Sequence, residues 1–297
     1  MGNTNSKDWQ RFIPLSKSWI IRMGFLDILS GQTYINKFLE NSENLGGDLL
    51  ALKRVAETWG TSGAVNVGES GTIYRLFQFA SWKLKLNKKF ITHATLSERI
   101  RHGKITQDPK IVDYNLNQLL DLPEHTTQYG TAAILLGNEE KIPDRLKNDF
   151  HLIMSQEAVE YWGRQEKEGR VWEPREDETI QAQAEAFVEM LKGVRPNFYP
   201  VQSEDYCFAR VFGYMTREEG KKRWPKLQGH ETPRLDEMER VIALTNNGKP
   251  IDTPDHRAMQ AIAMWSIVNK KDLSFVDKNI VNKTWPLFWD FLKEVTK

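Results

Sequence analysis

Apolar residues at helical spacing recur along almost the whole chain, and only brief β-prone runs fall between them. Ser18–Leu29 gathers Ile20, Ile21, Phe25, Ile28 and Leu29 toward one side. Asp48–Trp59 repeats Leu49, Leu52, Val55 and Ala56, with Asp48 reading as its N-cap. Gly71–Leu84, Gln128–Leu136, Asp144–Trp162, Thr179–Lys192, Asp236–Leu244, Ala258–Val268 and Pro286–Val295 continue the pattern. The β-prone runs are Ala64–Val67, Lys89–Thr92, Phe198–Val201 and Leu273–Val276. Short strands alternating with helices predict an α/β or α+β fold. At 297 residues the chain has the length of one large or two modest domains. The charged stretch Gln165–Asp177, with Gly169 and Pro174, separates two helical runs and is the expected crossover.

Charge and cysteine usage exclude several classes of function. Lys+Arg is 41 and Asp+Glu is 40, so the net charge is +1, without the basic excess that a nucleic-acid surface needs. The single cysteine, Cys207, precludes an internal disulfide and a multi-thiolate metal site, and reads as a buried packing residue. The 6 histidines form neither an i, i+4 pair nor an H-E-x-x-H motif, so no metal and no cofactor is expected. No apolar run approaches the ~18 residues that span a bilayer, Ala261–Val268 being the nearest, so no membrane partner is expected. Met1–Ser6 fits the M-G-x-x-x-[ST] acylation pattern but reads as a polar terminus with no signal-type apolar stretch behind it. A cytoplasmic monomer is the expectation. The 10 tryptophans mostly sit inside apolar patterns and read as core.

Cationic or glycine-rich segments at helix mouths carry the chemistry. Ser16-Lys17-Ser18 opens a helix, where free N–H groups and a lysine can hold an anion or simply cap. Gly68-Glu69-Ser70-Gly71-Thr72 leads into a helix with Arg75, and its glycines permit close backbone approach without Walker-A spacing. Thr126-Thr127-Gln128 sets two hydroxyls at a helix start, for capping or for phosphate. His230-Glu231-Thr232-Pro233-Arg234 offers an acid and an anion fork, or an ion pair. Asp255-His256-Arg257 and Lys283-Thr284-Trp285-Pro286 precede the last two apolar helices.

Taken in order, these segments resemble the 5-enolpyruvylshikimate-3-phosphate synthase family. Ser16-Lys17-Ser18 with Arg22 is similar to its opening Ser-Lys-Ser and following Arg. Gly68 to Arg75 resembles its Gly-Asn-Ala/Ser-Gly-Thr segment, and Glu98-Arg99-Ile100 its Arg-Pro loop. Thr126-Thr127-Gln128 resembles Ser-Ser-Gln, and His230 to Arg234 resembles Lys-Glu-x-x-Arg. Asp255-His256-Arg257 and Lys283 to Pro286 match Asp-His-Arg and Lys-Thr-Phe-Pro. The resemblance runs from about Pro14 to Leu292. It implies a two-domain fold of repeated β/α units around a central cleft. Residues 14–165 would form one domain, and 1–13 plus 166–297 the other.

The implied activity is carboxyvinyl transfer from phosphoenolpyruvate to a hydroxyl of a shikimate-3-phosphate-like acceptor, releasing phosphate. Arg99, Arg234, Arg257 and Lys283 would bind phosphoenolpyruvate, with Gly71 against it. Lys17 and Gln128 would lie between the two substrates, His230 on the acceptor side, and Ser18, Arg22, Thr126 and Thr127 would be further substrate-binding residues. Glu231 would move a proton, and Glu204, or alternatively Asp205, would act as base toward the acceptor hydroxyl.

The chain departs from the family by being short. From Lys17 to Gly71, and from Arg99 to Gln128, no room is left for the usual β-hairpins, and roughly one repeat is absent between Gln128 and Glu204. The Ser-Arg-Pro-Tyr segment for the acceptor phosphate has no clean counterpart; Lys147 to Phe150 falls nearest. Two alternatives stand beside the synthase reading: a transferase with another acceptor, and a non-catalytic or regulatory paralogue that binds an anion.

Overall fold

The computed structural model describes residues 8–42, 45–124, 126–137, 142–228 and 233–297. The chain divides into two compact units. The continuous unit is Lys17–Arg175; the split unit joins the stretch ending at Ser16 to Glu176–Lys297. Each has its own apolar core.

The continuous unit contains α1 (Lys17–Leu29), α2 (Tyr34–Glu40), α3 (Gly47–Thr58), β1 (Val65–Gly68), α4 (Gly71–Lys83), β2 (Phe90–Thr92), α5 (Ala94–Arg101), α6 (Leu116–Leu120), α7 (Gln128–Leu135) and α8 (Phe150–Lys167). β1 and β2 pair in parallel, Val65 opposite Phe90 and Gly68 opposite Thr92, with α4 as the crossover that parallel pairing requires. Phe77 of α4 anchors the core, 5.0 Å from the Phe25 ring and 5.1 Å from the Trp59 ring. α7 is buried on every side, which is why its sequence is small and apolar throughout. A Cβ on its Gly130 would already lie 3.2 Å from Leu152, so α8 approaches closely.

The split unit contains α9 (Glu178–Leu191), α10 (Tyr206–Val211), α11 (Arg217–Arg223), α12 (Arg234–Asn246), α13 (His256–Val268) and α14 (Phe288–Val295). α13 lies at its centre, packed by α9, α10 and α12. The 3-10 turn Asp8–Phe12 packs on α14, with Trp9 5.9 Å from the Phe291 ring. Trp285 locks that segment in place by donating its indole N–H to the Phe12 carbonyl at 2.7 Å.

The fold is therefore mixed but mostly helical, with few strands. Among the described residues the one sheet is two-stranded, and repeated β/α units are not seen. Phe198–Val201 forms no strand, because Pro196 and Pro200 remove ladder donors and the Phe198 ring turns in against Phe208 at 4.8 Å. Leu273–Val276 contributes a single bridge, Phe275 to Ile251. The pattern over Asp144–Trp162 resolves into a 3-10 turn, Asp144–Leu146, and then α8. Asp149 starts α8 by accepting the N–H groups of His151 and Leu152 at 3.1 Å.

The unit boundaries fall at 16/17 and 175/176, whereas the sequence places them at 13/14 and 165/166. Trp172 accounts for the shift at the second crossing. It is buried in the continuous unit, 5.2 Å from the Tyr34 ring and 5.5 Å from Phe38, and carries its segment with it. At the other edge, Leu15 bridges Glu176 and the Asp177 N–H donates to the Pro14 carbonyl at 2.9 Å.

Gly220 in α11 yields a sharp stability prediction. A Cβ there would lie 2.3 Å from Cε2 and 2.6 Å from Cδ2 of Tyr206, whose ring is fully buried and cannot yield. Gly220→Ala is expected to cost about 1–3 kcal/mol despite alanine's better helix propensity. Urea unfolding checks this, and an unchanged midpoint would contradict it.

Candidate functional site

In the continuous unit the candidate residues gather around the turn between β1 and α4. Lys17, the first residue of α1, pairs through Nζ with Asp48 Oδ2 at 2.9 Å. Asp48 Oδ1 accepts the Ser70 hydroxyl at 2.6 Å, and Ser70 Oγ in turn accepts the Ile73 N–H at 3.1 Å, capping α4. Asp48 is thus not the N-cap of α3. That position is Gly46, with no side-chain bond, and Asp48 ties α1 to the β1–α4 turn instead.

The two glycines of this turn lie under guanidinium groups. Gly68 has φ +56°, and a Cβ on it would lie 2.6 Å from Arg54 Nη2. At Gly71 a Cβ would lie 3.0 Å from Arg75 Nη1 and 3.3 Å from Arg99 Nη1, so two cations meet at one glycine. Arg99 sits in α5 rather than in the loop that the resemblance implies. The positive end of α4 adds to this field.

At the start of α7, Thr126 Oγ1 accepts the Gln128 N–H at 3.2 Å, while Thr127 holds the N-cap position without a side-chain bond. Gln128 Oε1 is buried and has no hydrogen-bond partner. Ser18 offers its carbonyl to Arg22 Nη1 at 2.8 Å. Arg22 itself is buried in the interior, where Nε donates to Ser155 Oγ at 3.0 Å and Nη2 to the His151 carbonyl at 2.9 Å. Burial lowers its pKa to about 10, against the charge of Asp149, so it remains a cation at neutral pH. Its donors serve the fold rather than a ligand.

In the split unit the candidates gather at the start of α13. Asp255 caps it, accepting the N–H groups of Arg257 at 2.9 Å and Ala258 at 3.1 Å. Asp255 also takes the Arg234 Nε–H at 2.9 Å. Burial opposes both charges, but each holds the other ionised: Asp255 lies below its ordinary pKa and Arg234 above its own. His256 is pushed well below its ordinary value, first by burial and then by Arg257, with Arg234 and Lys283 adding to the shift against Asp255. It is therefore neutral at pH 7, with the charges of Arg257, Arg234 and Lys283 all disfavouring its protonation. Arg257 is 6 % exposed, and its Nε and Nη1 have no hydrogen-bond partner. A buried cation with idle donors is costly unless an acceptor arrives.

Glu204 and Asp205 separate by environment. Asp205 is buried, with Oδ1 taking the Gln183 amide at 2.8 Å and Oδ2 the N–H of Val201 at 2.9 Å. Burial raises its pKa, partly offset by these bonds. Glu204 is half-buried, accepts the Ser203 hydroxyl at 3.0 Å, and its charge reaches Arg234. Cys207 is buried beside these charges, and desolvation pushes its thiol up, leaving it protonated. His230 and Glu231 lie outside the described residues.

The structure thus groups Gly71 with Arg99 and, separately, Arg234 with Arg257 and Lys283, while Arg22 is placed apart in the interior. Arg54 and Tyr129 were not singled out from sequence, and Arg75 only as the end of a motif. Arg54 reaches the turn from α3, and Tyr129 reaches Arg75 from α7, which spacing does not reveal. Among the described residues no group of three or more His, Cys, Asp or Glu could hold a metal, and no helix is long and apolar enough to cross a membrane. The sequence matches no protein-family model, no curated protein and no solved structure.

Proposed function

We propose that the chain binds phosphoenolpyruvate and transfers its carboxyvinyl group to the hydroxyl of a small, shikimate-3-phosphate-like acceptor. The observation that carries this reading is Arg257: a buried guanidinium with two unpartnered donors at the start of α13, next to a neutral His256 on which the charges of Arg234 and Lys283 also act. Such a group suits a ligand bearing phosphate and carboxylate, each of which accepts charge-assisted bonds.

In this reading Arg234, Arg257 and Lys283 of the split unit hold phosphoenolpyruvate, and Lys17, Gly71, Arg99 and Gln128 are the substrate-binding residues of the continuous unit. The acceptor hydroxyl gives its proton to Glu204 and its oxygen bonds to C2 of phosphoenolpyruvate as C3 takes a proton. Loss of phosphate and of one C3 proton then restores the alkene. Glu231 is the proposed carrier of the C3 proton. The finer proposal for the fold is a shortened enolpyruvyl-transferase arrangement that has lost its hairpins and about one repeat.

The scarcity of strands among the described residues favours a second reading, a non-catalytic relative that keeps only the anion site. Incubation with phosphoenolpyruvate and shikimate 3-phosphate, with phosphate release followed, decides between them. Steady turnover supports the synthase. Tight phosphoenolpyruvate binding without turnover favours another acceptor or the non-catalytic relative, and absence of binding overturns the proposal.

A further inference from the structure

We infer that Arg75 is an additional cation for the anion held at Gly71, with Tyr129 and Glu124 forming the polar floor that keeps its guanidinium in place. The inference rests on the transferase reading for the identity of the ligand, but the geometry stands by itself. Arg75 is 4 % exposed and donates from Nη1 to the Gly71 carbonyl at 3.2 Å, which holds that nitrogen at the mouth of α4. Its Nε has no hydrogen-bond partner. Among the described residues it makes no ion pair.

The neighbours leave the charge incompletely met. Tyr129 is fully buried on α7, and its hydroxyl has no partner of good geometry, although the charge of Arg75 acts on it. Glu124 gives one carboxylate oxygen to the Thr106 N–H and leaves Oε2 buried and unpartnered. Its charge reaches Arg75, while Arg99 acts in the opposite sense. Two guanidinium groups against one glycine repel each other, and the Arg75 member of the pair is buried from the water that would screen it. A bound oxyanion answers the two cationic features, the unpartnered Arg75 Nε and the repulsion between Arg75 and Arg99, while Glu124 stays a counter-charge to Arg75. The oxyanion sits between two cations, meets the free N–H groups at the start of α4, and draws Arg75 into a full set of bonds. A phosphate group fits this best, because it offers an oxygen to each guanidinium and another to the backbone. The polar floor explains why α7 carries a tyrosine in an otherwise apolar position.

Calorimetry on the full chain with phosphoenolpyruvate, inorganic phosphate and pyruvate tests this. Arg75→Met is expected to weaken phosphoenolpyruvate and phosphate roughly 30-fold or more, two lost charged contacts being ample for that. Arg75→Lys is expected to recover part of the loss. Tyr129→Phe is expected to bind phosphate several-fold more weakly, since it removes the hydroxyl that faces the Arg75 guanidinium. These two variants keep the inference testable if Arg75→Met fails to fold. Unchanged phosphate affinity in Arg75→Met, beside a loss in Arg99→Met, overturns the inference and leaves the transferase reading standing. Phosphate binding that depends on Arg75 without any preference for phosphoenolpyruvate supports the inference and sinks that reading. A wild-type chain that binds none of the three overturns both, and binding of pyruvate alone overturns the phosphate assignment.

Discussion

Arg257→Met is expected to weaken phosphoenolpyruvate binding about 100-fold while making the unliganded chain more stable. Both effects have one cause. Arg257 Nε and Nη1 are buried and find no acceptor in the protein, so the unliganded molecule carries the desolvation cost of two donors on a cation. Methionine keeps the stem's apolar packing and removes that cost, worth about 1–3 kcal/mol per buried unsatisfied group. A ligand oxyanion meeting those donors recovers about 1.5–3 kcal/mol per charge-assisted bond, so losing both contacts is ample for a 100-fold change. Thermal melts and calorimetry read the two effects side by side. Loss of affinity with lower stability would recast Arg257 as a structural residue.

The same variant carries a pH signature through His256. Burial and the adjacent Arg257 hold the folded-state pKa of this imidazole below its unfolded value of 6.5. Below that value the unfolded chain takes up a proton that the folded chain refuses, so the His256 contribution to stability is present above pH 6.5 and is lost as the pH falls. Removing Arg257 raises the His256 pKa and lessens this loss. The stability difference between Arg257→Met and wild type should therefore widen as the pH falls below 6.5. A difference that stays constant from pH 7 to pH 5 would show that Arg257 does not act on His256.

What the sequence makes legible follows from how local each feature is. The β1–α4–β2 unit can be read because turn chemistry and periodicity coincide there: Ser70 caps, Gly68 takes a positive φ, and a helix-period pattern follows. Asp255 at the start of α13 is equally local, since an Asp before an apolar run is a cap in most contexts. The missed helices are short or thinly apolar. α5 buries only Leu96 and α11 only Gly220, so tertiary contacts stabilise them more than pattern does. Convergence is not legible. Arg54, Arg75 and Arg99 come from three helices and meet two glycines only because α3 and α5 flank the β1–α4 turn. Tyr129 fits its apolar helix as phenylalanine would, and its idle hydroxyl is visible only once Arg75 and Glu124 are placed beside it.

Arg22 puts the limits of motif transfer to the test. By resemblance it is a substrate-binding residue, yet it is 5 % exposed, and its donors go to Ser155 Oγ, the Ser18 carbonyl and the His151 carbonyl. These contacts join α1 to the first turns of α8, the longest helix of the continuous unit. A guanidinium is suited to this because its planar fork reaches partners in several directions at once, which a lysine's single ammonium does not. Arg22→Ala is expected to destabilise the continuous unit by about 3–5 kcal/mol, from the cavity and from polar partners left without their donor. Arg22→Lys should recover little of that loss, because the charge remains buried while the fork is gone. Urea unfolding measures the first effect. Phosphoenolpyruvate and phosphate affinities of the fraction still folded should match wild type, since the Arg22 donors go to Ser155, Ser18 and His151 and none to Gly71, Arg75 or Arg99. A stable Arg22→Ala chain with weakened ligand binding would return Arg22 to the site and restore the role that its motif implies.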